Sequence, residues 1–208
     1  MTLTTTRALR ALLLVASAAA SLAAQVPVQV GLQLDGAGIR VRGVSTALAT
    51  GTLLGGRGSA TFGPVRLSLS YREGRLHDGS TRPFLVEGGA AADVQLAPWI
   101  AVGLGPEARA YKLDSASLRR VWLAGRVGIA APLIGTAVRT DVRLWRSVAT
   151  SAASSDLTQV AGGEVGIGYY SAAARWWIRL ATTFDDAAFA GPRHERSYGL
   201  SLGAGIGR

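Results

Sequence analysis

The sequence predicts an all-β protein: an up-and-down antiparallel transmembrane β-barrel of about ten strands, with eight or twelve as the neighbouring counts, behind an N-terminal signal peptide. Three observations carry this expectation. An apolar N-terminal segment is too short to cross a bilayer as a helix, the remaining chain alternates apolar and polar side chains, and its connections switch between tight and long.

The N-terminus holds Arg7 and Arg10 and no acid, followed by an apolar run from Ala11 to Ala20 and then Ser21-Leu22-Ala23-Ala24. A spanning helix needs roughly 20 apolar residues. This run is shorter, and the small residues at 21 and 23 suit signal peptidase cleavage after Ala23 or Ala24. Residues 1–24 are therefore read as a cleaved signal peptide and 25–208 as one barrel domain of the bacterial outer membrane.

Composition narrows the function classes. The full chain carries 22 Lys and Arg against 13 Asp and Glu, a formal charge of +9; loss of Arg7 and Arg10 lowers it by two, to +7. Apart from Lys112 the cations are arginines, and they are scattered through strand-like segments instead of clustered, which argues against nucleic acid as a partner. The absence of Cys excludes disulfides and thiolate metal sites. An exported chain without disulfides needs another source of stability, and a closed barrel in lipid provides it by pairing the backbone groups of every strand.

The first mature segment alternates through Val28, Val30, Leu32 and Leu34, then changes phase across Asp35-Gly36 before Ile39 and Val41, as a bulge or a tight hairpin would require. Val65, Leu67, Leu69 and Tyr71 then oppose Arg66, Ser68, Ser70 and Arg72, the clearest period of two in the chain. From Phe84 to Leu96 the apolar face opposes Glu87, Asp93 and Gln95. Val121 to Ile129 sets Val121, Leu123, Val127 and Ile129 against Arg120, Trp122 and Arg126; Val138, Val142 and Leu144 oppose Arg139, Asp141 and Arg143. Trp176, Ile178, Leu180 and Phe184 face away from Arg175, Trp177 and Arg179, and the last segment alternates Tyr198, Leu200, Leu202, Ala204 and Ile206 with Ser and Gly.

Tight connections are expected at Gly63-Pro64, Ala97-Pro98, Pro132 to Gly135 and Ser171 to Ala173; longer polar ones at Glu73 to Arg82, Leu113 to Leu118, Ser147 to Leu157 and Asp185 to Arg196. With the tight turns periplasmic and the longer loops external, both termini are periplasmic and the strand count is even. On this register Tyr71, Phe84, Phe184 and Tyr198 point outward beside the long loops, and Phe62, Tyr169 and Trp176 point outward beside the tight turns, as the two aromatic girdles of a barrel in lipid would. Glycine stretches such as Gly55-Gly56-Arg57-Gly58 and Gly203 to Gly207 precede no helix, so they are read as close packing of the strands, not as phosphate loops.

The inward face collects the acids Glu87, Asp93, Glu107, Asp141 and Glu164 with the bases Arg66, Arg109, Arg120, Arg126, Arg139, Arg143, Arg175 and Arg179. In a narrow barrel these groups meet across the lumen and either plug it or leave a thin, arginine-lined passage for small anions. His77 and His194 fall in predicted external loops and their spacing matches no catalytic or metal motif, so no enzyme activity, metal or cofactor is expected.

Signal peptide, dyad strands, alternating turn lengths and aromatic girdles together resemble the small outer-membrane β-barrels, of which the OmpA-like and OmpW-like barrels are familiar members. No motif selects a subfamily. The resemblance implies a structural or narrow-pore role, membrane lipid as surroundings, folding by the barrel assembly machinery and a monomeric state. The chain differs from the family pattern in ending Gly205-Ile206-Gly207-Arg208 where an aromatic residue is usual. Two other readings stay open: a barrel enzyme or surface-binding protein working through the external loops, and a secreted soluble β-sandwich, which also alternates but buries one face against a second sheet.

Overall fold

The computed structural model describes residues 28–42, 48–77, 79, 82–112, 117–151, 156–171, 173 and 175–207; the signal segment 1–24 and Arg208 lie outside them. Ten strands follow one another: β1 (Val28–Arg42), β2 (Leu48–Phe62), β3 (Val65–His77), β4 (Phe84–Ala97), β5 (Ile100–Lys112), β6 (Ser117–Ile134), β7 (Val138–Thr150), β8 (Leu157–Ser171), β9 (Trp176–Phe189) and β10 (His194–Gly207). Each pairs antiparallel with its neighbours in sequence, and β1 also pairs with β10 from Gln29↔Gly207 to Arg42↔His194, so the sheet closes into one barrel. A closed single sheet leaves no edge and no second sheet, which rules out the sandwich.

β1 settles the question raised at Asp35-Gly36. Its ladder to β2 and to β10 runs through Asp35↔Leu53 and Asp35↔Ser201 without a register shift, so neither a bulge nor a hairpin interrupts the strand. Asp35 is buried in the same inward phase as Gly31 and Gln33, and the apparent change of phase arises because Ile39 and Val41 fall at odd positions of the same unbroken ladder.

The two ends of the barrel differ. At one, Gly63-Pro64 joins β2 to β3, Pro98-Trp99 joins β4 to β5, Gly135 to Ala137 joins β6 to β7, and residues 172–175 join β8 to β9. Gly63 and Gly135 both take φ +57°, a left-handed conformation that costs glycine nothing and lets the chain reverse within a few residues. Every one of these turns also ties into the next hairpin: Pro64, Trp99, Ala137 and Arg175 accept backbone bonds from Gln95, Ala130, Tyr170 and Gly207 at 2.7–2.9 Å. Residues 28 and 207 lie at this same tight-turn end.

At the loop end the strands run further than their polar composition suggests. β3 continues to His77, β7 to Thr150 and β9 to Phe189, and β10 begins at His194, so the expected loop from Asp185 to Arg196 shrinks to residues 190–193. Tyr71, Phe184 and Tyr198 consequently stand within their strands and not at the loop ends. Outward polar groups sit directly above them: Glu73 accepts a 2.5 Å bond from the Tyr71 hydroxyl, and Asp186, His194 and Arg196 associate above the Phe184↔Tyr198 pair. Those aromatics therefore stand between the apolar outer residues on one side and these polar groups on the other.

The distribution of polarity is inside out. Outward side chains are apolar and uncovered, with Ile206 69% and Leu54 61% exposed, whereas Arg120 and Glu195 are 1% and 2% exposed in the interior. A water-soluble domain would bury the first set and expose the second. An uncovered apolar face of this kind suits lipid as its surroundings.

Candidate functional site

The lumen is lined by alternate residues of every strand, and glycines on that face make room for large partners. Without a Cβ at Gly166 the Arg179 guanidinium lies flat against the wall, since a Cβ there would stand 2.4 Å from its Nη2. Gly31 likewise underlies the Trp177 ring, which a Cβ would meet at 2.2 Å.

At the loop end, buried charges cross the lumen. Arg109 of β5 pairs with Glu87 of β4, with Asp185 of β9 at 3.1 Å and with Glu195 of β10 at 3.5 Å. Glu195 also accepts from Arg120 of β6 at 2.6 Å and from the Tyr111 hydroxyl at 2.5 Å, while the Trp145 indole donates to Asp185 at 2.7 Å. Arg72 joins Glu87 to Asp35 across the mouth of β2, the second contact at 3.5 Å. Arg120 leaves two nitrogens without hydrogen-bond partners among the described residues; its guanidinium instead lies 4.4 Å from the centroid of Phe189 and 5.4 Å from that of Tyr111, where ring faces attract the cation.

Two apolar clusters flank this network inside the barrel. Leu53, Leu76 and Leu85 pack with Ala37, Ala49 and Tyr111; Trp122, Ala124, Leu157, Val160, Ala187 and Phe189 form the other. Burial this complete, with charges paired on several sides, closes the lumen in its loop-end half.

The tight-turn half is different. It holds an open cavity of ≈ 360 Å³, whose lining reaches up to Arg72, Glu87, Arg109 and Asp185 of the loop-end network. Arg179 grips Asp141 through two bonds, at 2.9 and 2.5 Å, and Glu164 at 2.7 Å; Arg57 and Arg143 approach the same Glu164 at 3.7 and 3.8 Å. Arg126 pairs with Glu107 at the upper margin of the cavity. Arg66 and Asp93, direct cross-strand partners, and Arg139, stacked 5.4 Å from the Tyr170 centroid, line the mouth.

Of the thirteen charged residues expected on the inner face, Arg66, Glu87, Asp93, Glu107, Arg109, Arg126, Arg139, Asp141, Arg143, Glu164 and Arg179 all line this space, and Arg120 lies buried above it. Arg175 does not. It occupies the β8–β9 turn, exposed and at φ +54°, because β9 begins only at Trp176. Sequence reasoning put Arg72 on the face of Arg66 without counting it among the lumen charges, and missed Asp35, Arg57, Asp185 and Glu195. Asp185 and Glu195 continue the inward phases of Arg179 and Ser197, so an unbroken count by twos would have found them; their polar surroundings read as loop instead.

The seven residues expected to form girdles, Phe62, Tyr71, Phe84, Tyr169, Trp176, Phe184 and Tyr198, all lie on the outer wall, with Tyr169 and Trp176 in tilted contact at 5.3 Å. His77 and His194 stand at the loop end on strands β3 and β10, separated by β1 and β2; His194 faces Asp186 at 3.4 Å. Among the described residues no three of His, Asp and Glu converge as metal ligands.

No family model matches the chain, and no curated protein matches it in sequence. Among solved structures it is similar to the toluene transporter TodX of Pseudomonas putida (7% identity, TM-score 0.41, 86% of this chain and 89% of that one). It is similar also to neisserial surface protein A (16% identity, TM-score 0.41, 85% and 96%) and to Ail, the attachment invasion locus protein of Yersinia pestis (9% identity, TM-score 0.38, 88% and 99%).

Proposed function

We propose that residues 25–208 form an outer-membrane barrel with a structural role, its lumen closed at the outer end. The signal segment is cleaved after export, the barrel assembly machinery inserts the chain, and a monomer stands in lipid with tight turns in the periplasm and loops outside. The inside-out polarity carries this reading: an apolar, aromatic-bordered exterior around paired, buried charges suits lipid outside and no continuous water inside. The check is mobility of the unboiled and boiled protein in detergent gels, together with its distribution between membrane fractions. A folded barrel migrates differently before boiling and co-fractionates with the outer membrane. One unchanging band in the soluble periplasm would overturn the assignment.

A second reading, a narrow passage for small anions, is favoured by the arginine excess of the tight-turn half. It requires the buried Arg109 and Arg120 pairs to part, and conductance decides between the two.

A further inference from the structure

The lumen charges are unevenly divided. In the closed half Arg72, Arg109 and Arg120 face Asp35, Glu87, Asp185 and Glu195, a cluster that is slightly acidic and internally paired. The surplus of positive charge lies entirely in the open half. There Glu164 is one carboxylate shared by three guanidiniums, those of Arg57, Arg143 and Arg179, and Arg179 is held more closely by Asp141. Arg57 and Arg143 thus have only a distant share of one acid, and their side chains are 31% and 34% exposed within the cavity. Arg139 at the mouth donates to the Thr136 carbonyl at 3.2 Å and makes no ion pair among the described residues, and Asp93 is the carboxylate opposite Arg66 in register.

We propose that this half is a blind binding pocket, open at the tight-turn end, for a small molecule bearing a phosphate or paired carboxylate groups; the inference rests on the barrel reading above. Guanidinium forks match the oxygens of such anions in pairs, and several convergent forks in a site partly shielded from water select a multiply charged group over chloride. The ≈ 360 Å³ of space is within the range of small-ligand sites, which run from about 300 Å³ upward. Tyr170, Trp177 and Trp99 on its lining provide apolar faces for an organic body attached to the anion. The closure above by Arg109, Arg120 and the apolar clusters makes the pocket a dead end, so the ligand enters and leaves by the same mouth.

The test is calorimetric titration of the full mature chain, folded in detergent, with inorganic pyrophosphate and separately with citrate at low salt. One saturable site is expected for at least one probe, weakened at least tenfold in Arg57→Gln/Arg143→Gln and unchanged in Arg196→Gln on the outer wall. Because the double variant removes two partners of Glu164, Arg66→Gln/Arg139→Gln at the mouth is run beside it, and heat-modifiable mobility shows that each variant is folded. Absence of saturable binding by a folded barrel, or binding in both lumen variants as tight as in the unmodified chain, overturns the pocket while leaving the barrel standing; loss of heat-modifiability in the unmodified chain would instead overturn the barrel. Repeating the titration in phosphatidylcholine vesicles with and without phosphatidylglycerol identifies the source of the anion: competition by the charged lipid assigns the site to a lipid headgroup, and no competition assigns it to a free solute.

Discussion

The Arg109 guanidinium meets three carboxylates, from β4, β9 and β10, at a point where the side chain is almost entirely enclosed. Removing one member of such a network leaves the others buried and uncompensated, which costs about 3–5 kcal/mol. Arg109→Gln is therefore expected to lower the stability of the folded barrel by that amount, measured as urea unfolding in lipid vesicles, whereas Arg175→Gln in the exposed turn should change it by less than about 0.5 kcal/mol. Equal effects of the two would contradict the role given to the network. Gly166 tests the same logic through space instead of charge. A valine there must displace Arg179 from both Asp141 and Glu164, so Gly166→Val should destabilise the barrel while Gly128→Val, whose Cβ direction is empty, should be tolerated.

On the scale of the strand, alternation sets both faces, and its consequences depend on depth. Leu202 points outward in the middle of the apolar stretch of β10, four positions from Tyr198 and four from Ile206. Leu202→Arg should cost about 2–4 kcal/mol in vesicles, as an arginine on the lipid face near mid-bilayer does, while Ser197→Arg on the inner face would act by a different route, through Asp185. The outward-facing apolar strands, the tight turns and the strand number were all legible as a period of two broken by Gly-Pro and similar pairs. The upper lumen was not. Leu53, Leu76 and Leu85 sit on the inner face, where the pattern assigns polar residues, and Asp185 and Glu195 sit in polar sequence that resembles loop. Both follow from one feature: beyond Tyr71, Phe184 and Tyr198 the outer wall itself carries Glu73, Asp186 and Arg196, so the two faces no longer differ in polarity and the simple code loses its contrast.

For the molecule as a whole, the tight-turn half is a basic, open cup and the loop-end half is a stopper of paired charges between two apolar clusters. The sequence showed that arginines and acids share the interior, but not how they divide between the halves, because that depends on contacts such as Arg57 to Glu164 between strands far apart in order. The division predicts a barrel that holds its shape without conducting. Planar-bilayer recording of the purified, heat-modifiable protein tests this most directly. The unmodified chain should give no conductance steps, while Arg109→Ala/Arg120→Ala, if folded, should give small ones as the stopper loosens. Regular, long-lived steps from the unmodified protein would show a continuous water path through the lumen and contradict the closed barrel described here.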